Sequence, residues 1–148
     1  FNDAEDLDQQ VYSSLDASLL YPHRSVIRLD EYTGLNYNLS THFPWLGTCS
    51  ISDKQVHYLK KILNPLAIKI GPDTSIKALV KLINALDSDA VPGRITLIPR
   101  LGARWVHTIL PQLIEALGKS KHKVLWSCDP MHCLLYTSRH TQNNGNST

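Results

Sequence analysis

Leu66-Ala67-Ile68-Lys69-Ile70-Gly71 is an apolar run of strand length, interrupted by one ammonium and closed by a glycine. Side chains alternate between the two faces of an extended chain. Leu66, Ile68 and Ile70 therefore share one face, and Ala67, Lys69 and Gly71 share the other. Further short apolar segments lie at Trp45-Leu46, Ile95 to Ile98 and Val124 to Ser127, with helical patterns between them. Strands near 45–47, 66–70, 95–98 and 124–127, spaced by 21, 29 and 29 residues, read as repeated βα units with a parallel sheet.

The intervening stretches carry helix signals. Ser52 is a good N-cap for a helix with Val56, Leu59, Ile62 and Leu63 on one face. A second helix begins near Asp73-Thr74-Ser75 with the stripe Ile76, Leu79, Val80, Ile83 and Leu86. A third carries Val106, Ile109, Leu110, Leu113, Ile114 and Leu117 up to Gly118, and Pro111 should kink or split it. A complete (β/α)8 barrel uses roughly 31 residues per unit, close to the two longer steps. Four strands therefore read as a partial, half TIM-type barrel of the α/β class, whose two open edges call for a second copy or a partner supplying the missing strands.

Before the first of these strands, Leu7, Val11, Leu15 and Leu19 recur every fourth position, with Asp3, Glu5, Asp6 and Asp8 at the end where a helix favours acids. This predicts an amphipathic N-terminal helix over the first twenty residues. Residues 21–44 show no clear period and contain Pro22, Gly34 and Pro44, which reads as a long connection. The expected organisation is an N-terminal helix and connection over 1–44, βα repeats over 45–140 and a polar, disordered tail over 141–148.

Composition narrows the function classes. The chain of 148 residues has 43% hydrophobic and 19% charged residues and no apolar run long enough for a membrane span. Its net charge of +2 argues against a broad nucleic-acid footprint. The odd set Cys49, Cys128 and Cys133 lacks disulfide-framework spacing and fits a reducing, cytoplasmic setting. Asn38-Leu39-Ser40 matches the glycosylation acceptor pattern, which is short enough to arise by chance.

In parallel barrels, reactive groups gather at the C-terminal ends of strands. Lys69 lies there, on the expected inner face among small residues, where an ammonium needs an anion or loses its charge. Arg100 follows the next strand on the same alternation as Thr96 and Ile98. A guanidinium beside an ammonium at one mouth suits a carboxylate or phosphate ligand. The fourth strand runs into Cys128-Asp129-Pro130-Met131-His132-Cys133, where His132 could ligate a metal or move a proton.

Three ordered stretches, Asn64 to Pro72, Pro92 to Gly102 and Trp126 to His132, resemble signatures of the class II 3-deoxy-D-arabino-heptulosonate 7-phosphate (DAHP) synthases, and Thr41 to Gly47 resembles the lead-in to that family's first substrate motif. The likeness covers roughly residues 15–138. It implies a (β/α)8 barrel transferase that condenses phosphoenolpyruvate with erythrose 4-phosphate at the opening of aromatic amino-acid synthesis. By that resemblance Lys69 is catalytic as well as substrate-binding, Lys69 and Arg100 hold phosphoenolpyruvate, and His132 is one ligand of a divalent Mn, Co or Mg ion.

The departures fall at chemistry positions. Where the family continues Glu-Arg-Thr-Arg after Gly47, this chain has Thr48-Cys49-Ser50-Ile51; where it continues Gly-Asn-Thr after His132, this chain has Cys133-Leu134-Leu135. The family's remaining metal ligands, a cysteine, a glutamate and an aspartate, have no counterpart, so the metal is expected to be lost. The expectation is a diverged protein that keeps the anion-binding mouth for a different phosphorylated or diphosphate compound. The alternatives are a fragment of a true synthase and a non-catalytic module that pairs half-barrels.

Overall fold

A computed structural model describes residues 12–20, 27–32, 34–49 and 51–130. In chain order the elements are β1 (Ser14–Asp16), a 3-10 turn (Ala17–Leu19), β2 (Ile27–Leu29), β3 (Asn36–Asn38), β4 (Phe43–Leu46), α1 (Asp53–Lys60), β5 (Leu66–Ile70), α2 (Ile76–Leu86), β6 (Ile95–Pro99), α3 (Gly102–Gly118) and β7 (Leu125–Trp126). Five strands form one sheet in the order β1-β4-β5-β6-β7, with every neighbouring pair parallel. Strands 2 and 3 make a separate antiparallel ribbon. Strand, helix and parallel strand repeat as a partial TIM-type barrel requires, and the four strands read from the sequence all lie in this sheet.

The fifth strand departs from the sequence reading. Where the expected N-terminal helix overlaps the described residues, Ser14–Asp16 pair in parallel with Phe43–Trp45 instead. Sheet pairing outweighs the fourfold spacing here, because three residues at a sheet edge gain main-chain partners that a short helix end does not supply. Asp16 then caps the turn by accepting from the Ser18 amide at 2.9 Å. Residues 1–11 and the expected tail at 141–148 lie outside the described residues. The long connection contains the ribbon of β2 and β3, which the absence of a period had hidden.

The helices start where their caps stand. Ser52 and Gln55 form a reciprocal capping box at α1. Ser75 caps α2, and the stripe Leu79, Ile83 and Leu86 is fully buried. α3 runs from Gly102 to Gly118 without splitting at Pro111. Its buried residues Leu113 and Leu117 follow that proline, so packing continues across it. Leu66, Ile68 and Ile70 of β5 and Ile95 and Leu97 of β6 join these helix stripes in one core. At β7 the layer opens: Leu125 and Trp126 are 55% and 39% exposed.

Two buried polar clusters hold the N-terminal ends of the strands. Arg94 donates to the carbonyls of Leu86 at 2.6 Å, Ile62 at 2.8 Å and Leu59 at 3.3 Å, and pairs with Asp87 at 3.3 Å. One guanidinium therefore joins the ends of α1 and α2 to the start of β6. In the second cluster Asn64 accepts from the Asn38 amide at 2.8 Å and donates to the carbonyls of Asn38 and Thr41. Asn38 is itself buried and donates to the Tyr58 hydroxyl at 2.7 Å, so the glycosylation-like triplet is a structural asparagine. Among the described residues no helix is long and apolar enough to cross a membrane.

Candidate functional site

The site lies at the C-terminal ends of β4, β5 and β6. Register places Ala67 opposite Thr96 and Lys69 opposite Ile98. The Arg100 amide continues the ladder by donating to the Ile70 carbonyl at 2.8 Å. Lys69 and Arg100 thus project from adjacent strands on one face, and both line a cavity of about 210 Å³. Thr48, Cys49, Asp73, Thr74 and Ser75 complete its wall.

Both cations are fixed by the end of β4. The Lys69 ammonium lies 4.3 Å from the centre of the Trp45 ring, within reach of its negative face. Arg100 Nη2 donates to the Gly47 carbonyl at 3.3 Å. To do so Arg100 crosses β5 at Gly71, where an added Cβ would lie 3.9 Å from its Nε and 2.8 Å from Asp73 Oδ1.

A carboxylate also borders the mouth. Asp129 Oδ2 stands 3.8 Å from Lys69 Nζ, and each side chain is 21% exposed. The Asp129 amide donates to the Pro99 carbonyl at 3.1 Å, which ties the segment after β7 to the end of β6. At 3.8 Å in a partly wet opening the contact is a weak counter-ion contact rather than a tight bridge.

The helix following β5 presents its start to the same cavity. Thr74 Oγ1 accepts from the Gly71 amide at 3.0 Å, and Ser75 Oγ accepts from the Ala78 amide at 3.4 Å. The positive end of the α2 dipole and two hydroxyls therefore face the space that Lys69 and Arg100 border. Cys49 is the exception to this polarity. Burial, and secondly the charge of Asp73, push its thiol up from 9.0 to about 11. It stands in the mouth as a neutral thiol.

The structure brings Lys69 and Arg100 to one mouth and places beside them Trp45, which the sequence offered only as part of the apolar segment Trp45-Leu46. Trp45 pairs in register with Ala67, two residues before Lys69 on the same row, and this pairing is the signal that places the ring beneath the ammonium. His132 lies outside the described residues. Among the described residues no three of His, Cys, Asp and Glu gather as a metal would require. No step is therefore assigned to a divalent ion.

The model of the class-II DAHP synthetase family matches residues 2–146. A "Probable phospho-2-dehydro-3-deoxyheptonate aldolase" of Pseudomonas fluorescens is 44% identical over 108 residues, covering 72% of this chain and 27% of the relative. A phospho-2-dehydro-3-deoxyheptonate aldolase of Streptomyces coelicolor is 36% identical over 125 residues, covering 83% and 28%. The Mycolicibacterium smegmatis protein of that name is 33% identical over 130 residues, with the same two shares. The chain thus spans little more than a quarter of the length of these relatives.

Proposed function

The chain belongs to the class-II DAHP synthetase family, and from that membership we propose that its strand-end mouth binds a small phosphorylated anion through Lys69 and Arg100. One observation carries this reading: the ammonium and the guanidinium border one cavity together with Thr48, Thr74, Ser75 and the start of α2. Phosphate oxygens accept from an ammonium and a guanidinium alike, and the guanidinium adds two parallel hydrogen bonds. Thr48 and Cys49 replace an acid and an arginine of the family run. The mouth therefore suits a phosphorylated or diphosphate compound other than the family's substrate pair.

A second reading is supported by the relatives. Their printed names and the placement of Lys69 and Arg100 fit a portion of a synthase that condenses phosphoenolpyruvate with erythrose 4-phosphate. In either case Lys69 and Arg100 hold and orient the phosphate of the ligand. The exposed Leu125 and Trp126 on β7 favour a further strand against that edge, from more of the same polypeptide or from a second copy.

The deciding experiment measures, by calorimetry, binding of inorganic phosphate to the 148-residue chain, with phosphoenolpyruvate as a second phosphorylated probe. Lys69→Met and Arg100→Met should each weaken binding about tenfold or more; binding unchanged in both variants would remove the proposal. Turnover with erythrose 4-phosphate and Mn²⁺ that Lys69→Ala abolishes would select the second reading. Light scattering that shows a strict monomer would exclude self-pairing of β7.

A further inference from the structure

We infer that Trp45 is the positioning residue for the mouth: its ring holds the Lys69 ammonium at the height where an anion meets both Lys69 and Arg100. The inference rests on the anion-binding reading and adds a residue to it. Lys69 lies at the end of β5, and a lysine stem has four rotatable bonds, so an ammonium there can swing out to water. Its Nζ instead lies 4.3 Å from the Trp45 ring centre.

The arrangement has a structural cause. Trp45 pairs with Ala67, whose small side chain is fully buried and leaves the inner face of β5 open for the indole. Lys69 follows two residues later on that same face, directly within reach of the ring. A larger residue at 67 would displace the indole.

Trp45 also matches the chemistry needed. Asp129, the carboxylate at 3.8 Å, neutralises Lys69 but competes with any ligand for it. An aromatic face attracts the cation without supplying a full negative charge, so the ammonium stays directed into the mouth and still attracts an anion. Arg100 is fixed by the next glycine of the same strand end, through the Gly47 carbonyl. Trp45 of β4 and Gly47 just after it thus set the spacing of the two cations.

The test uses the full chain, with inorganic phosphate and phosphoenolpyruvate as probes. Trp45→Leu removes the π face while keeping an apolar side chain, and Trp45→Phe keeps a smaller face. Phosphoenolpyruvate affinity should fall about 3- to 10-fold in Trp45→Leu and recover to within about twofold of the original in Trp45→Phe. In a Lys69→Met background Trp45→Leu should change nothing further, because the interaction it removes is already gone. Inorganic phosphate should show the same ranking.

A second readout needs no ligand. The Lys69 Cε protons should be shifted upfield in the NMR spectrum by the indole ring current, and Trp45→Leu should abolish that shift. An unshifted Lys69 in the original chain, or an equal loss of affinity with and without Lys69, overturns the inference. A ring-current shift in a chain that binds neither probe would instead overturn the anion-binding reading and leave the Trp45 contact standing.

Discussion

Arg100 and Gly47 are separated by an entire strand, yet Arg100 Nη2 donates to the Gly47 carbonyl at 3.3 Å by crossing β5 over Gly71. The glycine is needed for space rather than for an unusual backbone. It is not among the glycines of positive φ, whereas Gly34, Gly93 and Gly102 are. A valine is therefore compatible with the backbone at 71: its Cβ would stand in ordinary contact with the guanidinium at 3.9 Å and force Asp73 Oδ1, 2.8 Å away, to shift, while its γ-methyl groups would reach further toward Arg100. Gly71→Val should leave the thermal midpoint within a few degrees of the original while reducing phosphoenolpyruvate affinity about as much as Arg100→Met does. Full affinity in Gly71→Val would show that Arg100 does not need the crossing.

At the opposite end of the strands Arg94 makes three main-chain contacts and one ion pair, all largely buried. His122 sits behind it, with Nδ1 3.4 Å from the second oxygen of Asp87 and Nε2 2.8 Å from Asn84 Oδ1. Because Asn84 Nδ2 donates to the Val80 carbonyl at 2.9 Å, its oxygen is the atom that faces the imidazole. Arg94→Ala leaves the Asp87 carboxylate buried beside His122 and three carbonyls without this donor. Urea unfolding should show a loss of about 3–5 kcal/mol, and Arg94→Lys should restore only part of it, since one ammonium cannot reproduce the forked contacts. A loss under about 1 kcal/mol in Arg94→Ala would mean that water replaces the guanidinium.

The layer architecture was legible because it depends on local patterns. The apolar run of β5 and the caps Ser52 and Ser75 act within a few residues of sequence, and β5 and the starts of α1 and α2 stand where these patterns place them, although α1 ends at Lys60, short of Ile62 and Leu63. β1 was not legible, since Ser14–Asp16 become a strand only through pairing with Phe43–Trp45, 29 residues away. The site divides in the same way. Position at the strand ends put Lys69 and Arg100 at one mouth, whereas their common face, the Trp45 contact, the Arg100 crossing and the placement of Asp129 arise from register between strands. Periodicity in a single sequence contains no register.

Cys49 gives the mouth a pH dependence. Its thiol keeps its proton in the folded chain up to about pH 11, while an unfolded chain loses it from pH 9.0 upward. The folded pKa is the higher one, so this contribution to stability is complete below pH 9.0 and is lost as pH rises toward 11. Over that window the stability of the original chain should fall more steeply than that of Cys49→Ala, as followed by urea midpoints at each pH. Thiol labelling near pH 8 supplies an independent check: Cys128 is exposed, so Cys128→Ser should remove a fast-reacting thiol, whereas Cys49→Ser should leave the fast phase unchanged. Identical pH slopes in the original chain and Cys49→Ala would refute the assignment.

Ser75 separates the stability of the mouth from its charge. Its hydroxyl caps α2 through the Ala78 amide at 3.4 Å and lines the cavity with Lys69 and Arg100. Ser75→Ala removes the cap and should cost about 1 kcal/mol of stability, with a small effect on anion binding. Ser75→Asp keeps a good N-cap and adds charge that the positive end of the helix favours, so stability should match or exceed the original. The same carboxylate faces Lys69 and Arg100 and occupies them as an internal anion. Phosphoenolpyruvate affinity should then fall at least about tenfold, and the loss should shrink as pH is lowered through the carboxylate range. A stable Ser75→Asp variant that binds the anion as tightly as the original would show that the negative ligand does not sit between the start of α2 and the two cations.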